Sequence, residues 1–118
     1  TPLPHLAISI NRDVENSSDT SILAAQAADA LINVTGVSVG VAISACTDGN
    51  VNVSARSDGS VNVQVIMEEL GGGGHQTVAG VQLQNADADE VKQQIIELTK
   101  KQLDEAEAKE KNESNLIE

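Results

Sequence analysis

A chain of 118 residues with no Phe, Tyr or Trp and a formal net charge of −11 has length for one core, which Val, Ile, Leu and Ala must fill. The missing rings remove the stacking platforms of single-strand and RNA binders, and the carboxylate excess opposes long polyanions, whose affinity comes from Lys and Arg on phosphates. A small phosphorylated ligand in a local site stays open, because salt screens bulk charge beyond roughly 8 Å.

In chain order, "HLAISI" (5–10) alternates and reads as a strand, and "NRDVENSSD" as a polar loop. Asp19 is positioned to cap a helix running to about Asn33, with Leu23, Ala27 and Leu31 as its apolar face. Residues 37–46 form an apolar β-branched run, "TDGN" supplies an Asp-Gly turn, and "VNVSARS" (51–57) is the partner strand of a hairpin. The stretch "SVNVQVIMEEL" fits a helix capped at Ser60, with Val63, Ile66, Met67 and Leu70 at three–four spacing. "AGVQLQ" reads as a fourth strand, and the last helix carries Val91, Ile95, Leu98 and Leu103 as its stripe. The expected fold is α/β: a small mixed sheet of about four strands flanked by helices, with a C-terminal helix and an acidic tail. The folded domain is expected over 1–103, with a charged tail lacking fixed structure over 104–118.

The single cysteine, Cys46, lies in an apolar run and reads as a small strand residue. Without a signal peptide or an apolar run long enough to span a bilayer, the expectation is a soluble intracellular chain. The opening "TPLPHLAISI", lacking a methionine, suggests a piece of something larger.

The stretch "GGGGH" (71–75) stands between the second helix and the fourth strand. Four glycines exceed what a helix C-cap requires, so three readings compete: a cap or connector, an anion cradle of backbone N–H groups, and close packing against another domain. The residues after the glycines are His75 and Gln76, not the Lys and Ser or Thr of a phosphate-binding loop, so nucleoside triphosphate hydrolysis is not supported. Arg12 and Arg56 are the only formal cations before residue 86. Arg12, in the polar loop, is read as solvated. Arg56, followed by Ser57 at a strand end, combines with the glycines and His75 into a plausible phosphodiester site. The competing reading is a surface Arg paired with a carboxylate.

"GGGGHQTVAG" (71–80), preceded by "SARS" (54–57), resembles the signature of the DHHA1 domain, the C-terminal half of the DHH phosphoesterases. The longer stretch "SARSDGSVNVQVIMEELGGGGHQTVAG" is similar to the membrane-anchored cyclic di-AMP phosphodiesterases of Gram-positive bacteria, as is "DTSILAAQAADALI" (19–32). The resemblance implies a domain that closes over a cleft against an upstream DHH domain, which holds two manganese ions through Asp and His residues. Carried over, Gly72, Gly73, Gly74 and His75 match the substrate-gripping loop, and Arg56 and Ser57 the Arg–Ser element. The implied substrate is cyclic di-AMP, opened to pApA, or a linear dinucleotide. The implied setting is the cytoplasmic side of a membrane, with a second copy of the chain as a further candidate partner.

The Asp-His-His triplet is absent, and the only histidines are His5 and His75. The chain alone is therefore expected to hold no metal and to hydrolyse nothing. Two alternatives stay open: a non-catalytic docking or oligomerisation module, and the equivalent domain of a nanoRNase or RecJ-type exonuclease.

Overall fold

The computed structural model describes the backbone of residues 5–15 and 19–117, with side chains as far as 106 and at 108. Five strands and three helices follow in the order β1 (Leu6–Val14), α1 (Thr20–Ile32), β2 (Val39–Cys46), β3 (Val51–Ser57), α2 (Val63–Glu69), β4 (Gly73–Gly74), β5 (Val78–Leu83) and α3 (Ala88–Ile117). They build one mixed sheet of order β1-β2-β3-β5-β4, in which β1 and β2 run parallel and the other neighbours antiparallel. The strand beyond the four expected is the two-residue β4, formed by the glycine run itself.

Alternation along the strands sorts side chains to two faces. Val39, Val41 and Ile43 of β2 share one face with Val51, Val53 and Ala55 of β3 and with Ala79 and Val81 of β5. On this face α2 adds Val63, Ile66 and Met67, and α3 adds Ala88, Val91 and Ile95. Aliphatic residues thus fill the core in place of rings. The opposite face carries α1 over β2 and β3.

That packing corrects the expected α1 stripe. The buried positions are Thr20, Ala24 and Ala28, whereas Leu23 is 57% exposed. Alanines let the helix lie close to the sheet: a Cβ at Gly40 would stand 2.9 Å from Leu31 Cβ and 3.1 Å from the Ala28 carbonyl oxygen. Proximity to the backbone, not side-chain size, chose the face.

Three other local expectations change. The segment 11–14 continues β1 rather than forming a loop, and 16–18 lie outside the described residues. Its end is polar because it projects past the core, with a register irregularity between Asn11 and Val14 and Asp13 at φ 57. Arg12 is therefore a strand residue; it pairs with Asp89 at the start of α3 at 2.7 Å, on the protein surface.

The N-cap of α2 is Asn62, not Ser60. Asn62 Oδ1 accepts from the Gln64 and Val65 amides at 3.0 and 3.4 Å, while Ser60 donates its amide and hydroxyl to Asp58 in the preceding turn. Asn62→Ala leaves both helix donors without that acceptor, so urea unfolding should show a loss of about 1 kcal/mol.

Helical backbone also continues past Leu103 to Ile117, through the stretch whose charge suggested no fixed structure. Ala, Glu, Lys and Gln in that stretch favour helix. No helix among the described residues is long and apolar enough to cross a membrane.

Candidate functional site at the glycine edge of the sheet

Three of the four glycines each meet a different physical demand inside the fold. Gly71, at φ +97, follows the α2 cap residue Leu70. The Gly71 amide donates to the Glu68 carbonyl at 3.0 Å and the Gly72 amide to the Met67 carbonyl at 2.8 Å. These two bonds make a Schellman motif, which needs a left-handed residue where Gly71 stands. A Cβ on Gly72 would overlap the Gly80 carbonyl oxygen and come within 2.6 Å of Val81 Cβ. Gly74 combines φ +142 with a would-be Cβ 2.5 Å from Ala79 Cα. Gly73 is different: nothing lies within 4 Å of its would-be Cβ.

The run is therefore an ordered edge. Gly73 pairs with Gly80 and Gly74 with Ala79, and the His75 amide donates to the Val78 carbonyl at 2.6 Å. The hairpin tip is fastened twice, by the Val63 amide to the Gln76 carbonyl at 3.0 Å and the Ser57 amide to the Thr77 carbonyl at 2.9 Å. The cap reading holds for Gly71, whereas Gly72 and Gly74 pack closely against β5 of this same chain rather than against another domain.

Register aligns the sequence-selected residues in rows. His75 stands opposite Val78, which pairs with Arg56. The next row on the same face is Gly73, Gly80 and Ser54, and beyond it Gln82 and Asn52. Arg56 and His75 are thus two strands apart, roughly 10 Å, and successive rows lie about 7 Å from one another. This is the face on which α1 covers β2 and β3 and leaves β5 exposed at Val78 and Gln82.

The Arg56 side chain, 14% exposed, donates from Nε to Asp29 Oδ1 of α1 at 2.7 Å and from Nη1 to the Ala55 carbonyl at 3.0 Å. The paired-Arg reading therefore describes its resting contacts. Ser57 points to the opposite, core-facing side. Its buried hydroxyl donates to the Val61 carbonyl at 2.7 Å and accepts from the Gly59 amide at 3.0 Å, holding the 57–61 turn. So the structure brings Gly73, His75 and Arg56 to one face and turns Ser57 away from it.

A groove of about 430 Å³ opens beside these rows, lined by Asn52, Ser54, Gly72, Gly80 and Gln82 with Ser21 of α1 at its rim. A second hollow of about 410 Å³ shares Asn52 and Gln82 and extends towards Asn50 and Gln84. Sequence reasoning passed over these residues, though the signal was present: "VNVSARS" and "VQLQ" put polar side chains at every second position of strands that pair.

Cys46 closes β2 in a buried position, where burial and then Asp48 push its thiol up, away from the reactive thiolate. Among the described residues no three His, Cys, Asp or Glu side chains are grouped to hold a metal ion.

Residues 12–105 match the DHHA1 domain. The chain is 49% identical over 90 residues to cyclic-di-AMP phosphodiesterase GdpP of Geobacillus thermodenitrificans, which covers 76% of this chain and 14% of that protein. It is 40% identical over 92 residues to cyclic-di-AMP phosphodiesterase PdeA of Listeria monocytogenes, covering 78% and 14%. The chain thus spans 14% of the length of each of these relatives. Among solved structures, a pGpG-specific phosphodiesterase, PggH, from Vibrio cholerae superposes with a TM-score of 0.48 at 19% identity, over 57% of this chain and 25% of that one. The matched span takes in every strand of the sheet from Arg12 onward, the glycine edge and the first half of α3, and on it the chain belongs to the DHHA1 domain family.

Proposed function

We propose that this domain holds the substrate of a cyclic-dinucleotide phosphodiesterase, seating a phosphodiester against Gly73 and His75. The observation that carries the reading is the open space at Gly73. Its three neighbours are glycine for reasons internal to the fold, whereas the absence of a side chain at Gly73 serves nothing inside the chain. What it provides is close approach from outside, beside an exposed histidine. The names of the relatives, cyclic-di-AMP phosphodiesterases, support a cyclic dinucleotide as the substrate class, and the specific reaction in this proposal is the opening of cyclic di-AMP by water to pApA.

Within this reading His75 donates to a non-bridging phosphate oxygen and stabilises charge as the P–O bond breaks. Arg56 is a second donor, held in line by Asp29. Gly72 and Gly74 shape the edge, and Ser57 fixes the turn behind it. The resemblance places the manganese pair in the DHH domain, and no step is assigned to metal on this chain. The bond-breaking groups belong to a DHH domain, and this domain contributes grip and orientation.

The test is an NMR titration of the isotopically labelled chain with cyclic di-AMP, pApA and inorganic phosphate. Saturable shifts at Gly73, Gly74, His75 and Arg56, larger for the dinucleotides than for phosphate, are expected. Shifts equal for all three ligands would reduce the edge to a general anion site. No shift at millimolar ligand would mean that this chain alone has no preformed grip and that the edge becomes a site only when a DHH domain closes on it; unchanged turnover by His75→Ala in the complete protein is what would favour a docking module.

A further inference from the structure

The groove next to the glycine edge has a chemistry unlike that of the edge itself. Asn52, Ser54 and Gln82 line it, with no ionisable side chain among its lining residues. A groove without a cation is a poor place for a phosphate. Its polar groups are neutral donors and acceptors, and they are only lightly engaged. The Asn52 amide makes one long contact, Nδ2 to Cys46 Sγ at 3.7 Å, which leaves Oδ1 to the groove. The Ser54 hydroxyl and the Gln82 amide make no hydrogen bond within the described residues.

The floor is also unusual. Gly72 and Gly80 line it with bare backbone, and Gly80 pairs with Gly73 between the His75–Arg56 row and the Gln82–Asn52 row. Bare peptide planes admit a flat ring that Cβ atoms would hold off. At about 430 Å³ the groove lies within the ordinary range of small-ligand sites.

We infer that this groove is a nucleobase subsite, with Gln82 and Asn52 reading the base edge while the attached phosphate lies at Gly73 and His75. The geometry is continuous, because Gly72 lines the groove and Gly73 is the next residue along the chain. The base preference follows from the donor set. A carboxamide offers one acceptor and one donor side by side, which matches the N6 donor and N7 acceptor of adenine. Guanine presents two acceptors on the same edge, O6 and N7, and is matched by Arg or Lys, neither of which lines the groove. The subsite therefore favours adenine. This inference rests on the dinucleotide reading above and adds to it the residues that choose the base.

Gln82 is exposed on β5, so Gln82→Ala tests the groove without disturbing the core. The experiment is calorimetric binding of pApA, pGpG and ribose 5-phosphate to the complete protein that carries this domain, comparing wild type, Gln82→Ala and Ser54→Ala. Wild type should prefer pApA to pGpG. Gln82→Ala should weaken pApA about tenfold, as for one lost hydrogen bond, and leave ribose 5-phosphate unchanged. Ser54→Ala should act in the same direction and more weakly. Equal weakening of all three ligands, or an unmoved pApA:pGpG ratio, would overturn the base subsite while leaving the dinucleotide reading in place. A complete protein that binds neither dinucleotide would overturn both.

Discussion

Gly72→Ala is expected to lower the melting temperature on the order of 10–20 °C, the equivalent of about 2–3 kcal/mol in a domain of this size. The added methyl would overlap the Gly80 carbonyl oxygen and approach Val81 Cβ to 2.6 Å. These are backbone and strand atoms of β5, and they cannot move aside without parting α2 from the sheet. Gly73→Ala, one residue away, is expected to melt within about 3 °C of wild type, as for a surface substitution. Its methyl meets no atom within 4 Å, and its φ lies outside the left-handed region. On the proposed reading the same methyl would stand in the path of the phosphodiester, so catalytic efficiency in the complete protein should fall. Thermal melting and kcat/KM measured on both variants decide the matter. Equal melting losses would make all four glycines structural, and a fully active Gly73→Ala would remove that residue from the site.

His75→Ala in the complete protein should lower kcat/KM by about tenfold to a thousandfold, the range for removing one charge-stabilising donor. Its melting temperature should stay unchanged. The side chain is exposed, and the hydrogen bond that closes the hairpin comes from the His75 backbone amide, which alanine retains. Unchanged turnover of a cyclic dinucleotide would assign the edge to docking instead. Arg56→Ala offers a contrast, because it removes both a candidate donor and the tie to α1. Asp29→Asn separates the two effects by weakening the 2.7 Å ion pair while keeping the guanidinium. If Arg56 grips substrate, Arg56→Ala loses far more activity than Asp29→Asn.

Much of the fold could be read locally. Strand β3 and helix α2 were legible because period-two alternation and three–four spacing are properties of short windows, and both Asp-Gly turns announce themselves by residue type. The α1 face was not legible. Leu23 looks more apolar than Ala24, yet the helix buries the alanines because Gly40 lets it approach the sheet closely. The end of β1 was missed for a related reason: Asn11, Arg12 and Asp13 are strand by backbone pairing, although their side chains lie outside the core. Asn62 was passed over as a cap because Ser60 is equally suitable by type, and only the turn at Asp58 decides between them.

The sequence by itself determined the α/β class and the aliphatic core, and it singled out the glycine–histidine stretch with Arg56 as the candidate site. It carried the family signature in a few adjacent residues. Only the tertiary structure separated the four glycines, because what a missing Cβ achieves depends on the atoms that would face it, and those come from β5. It alone set Arg56 against Asp29, turned Ser57 to the core side, and aligned Asn52 with Gln82 as the sides of one groove. Register between strands distant in sequence is a nonlocal quantity, fixed when the whole sheet pairs, and the site at this edge is made of register.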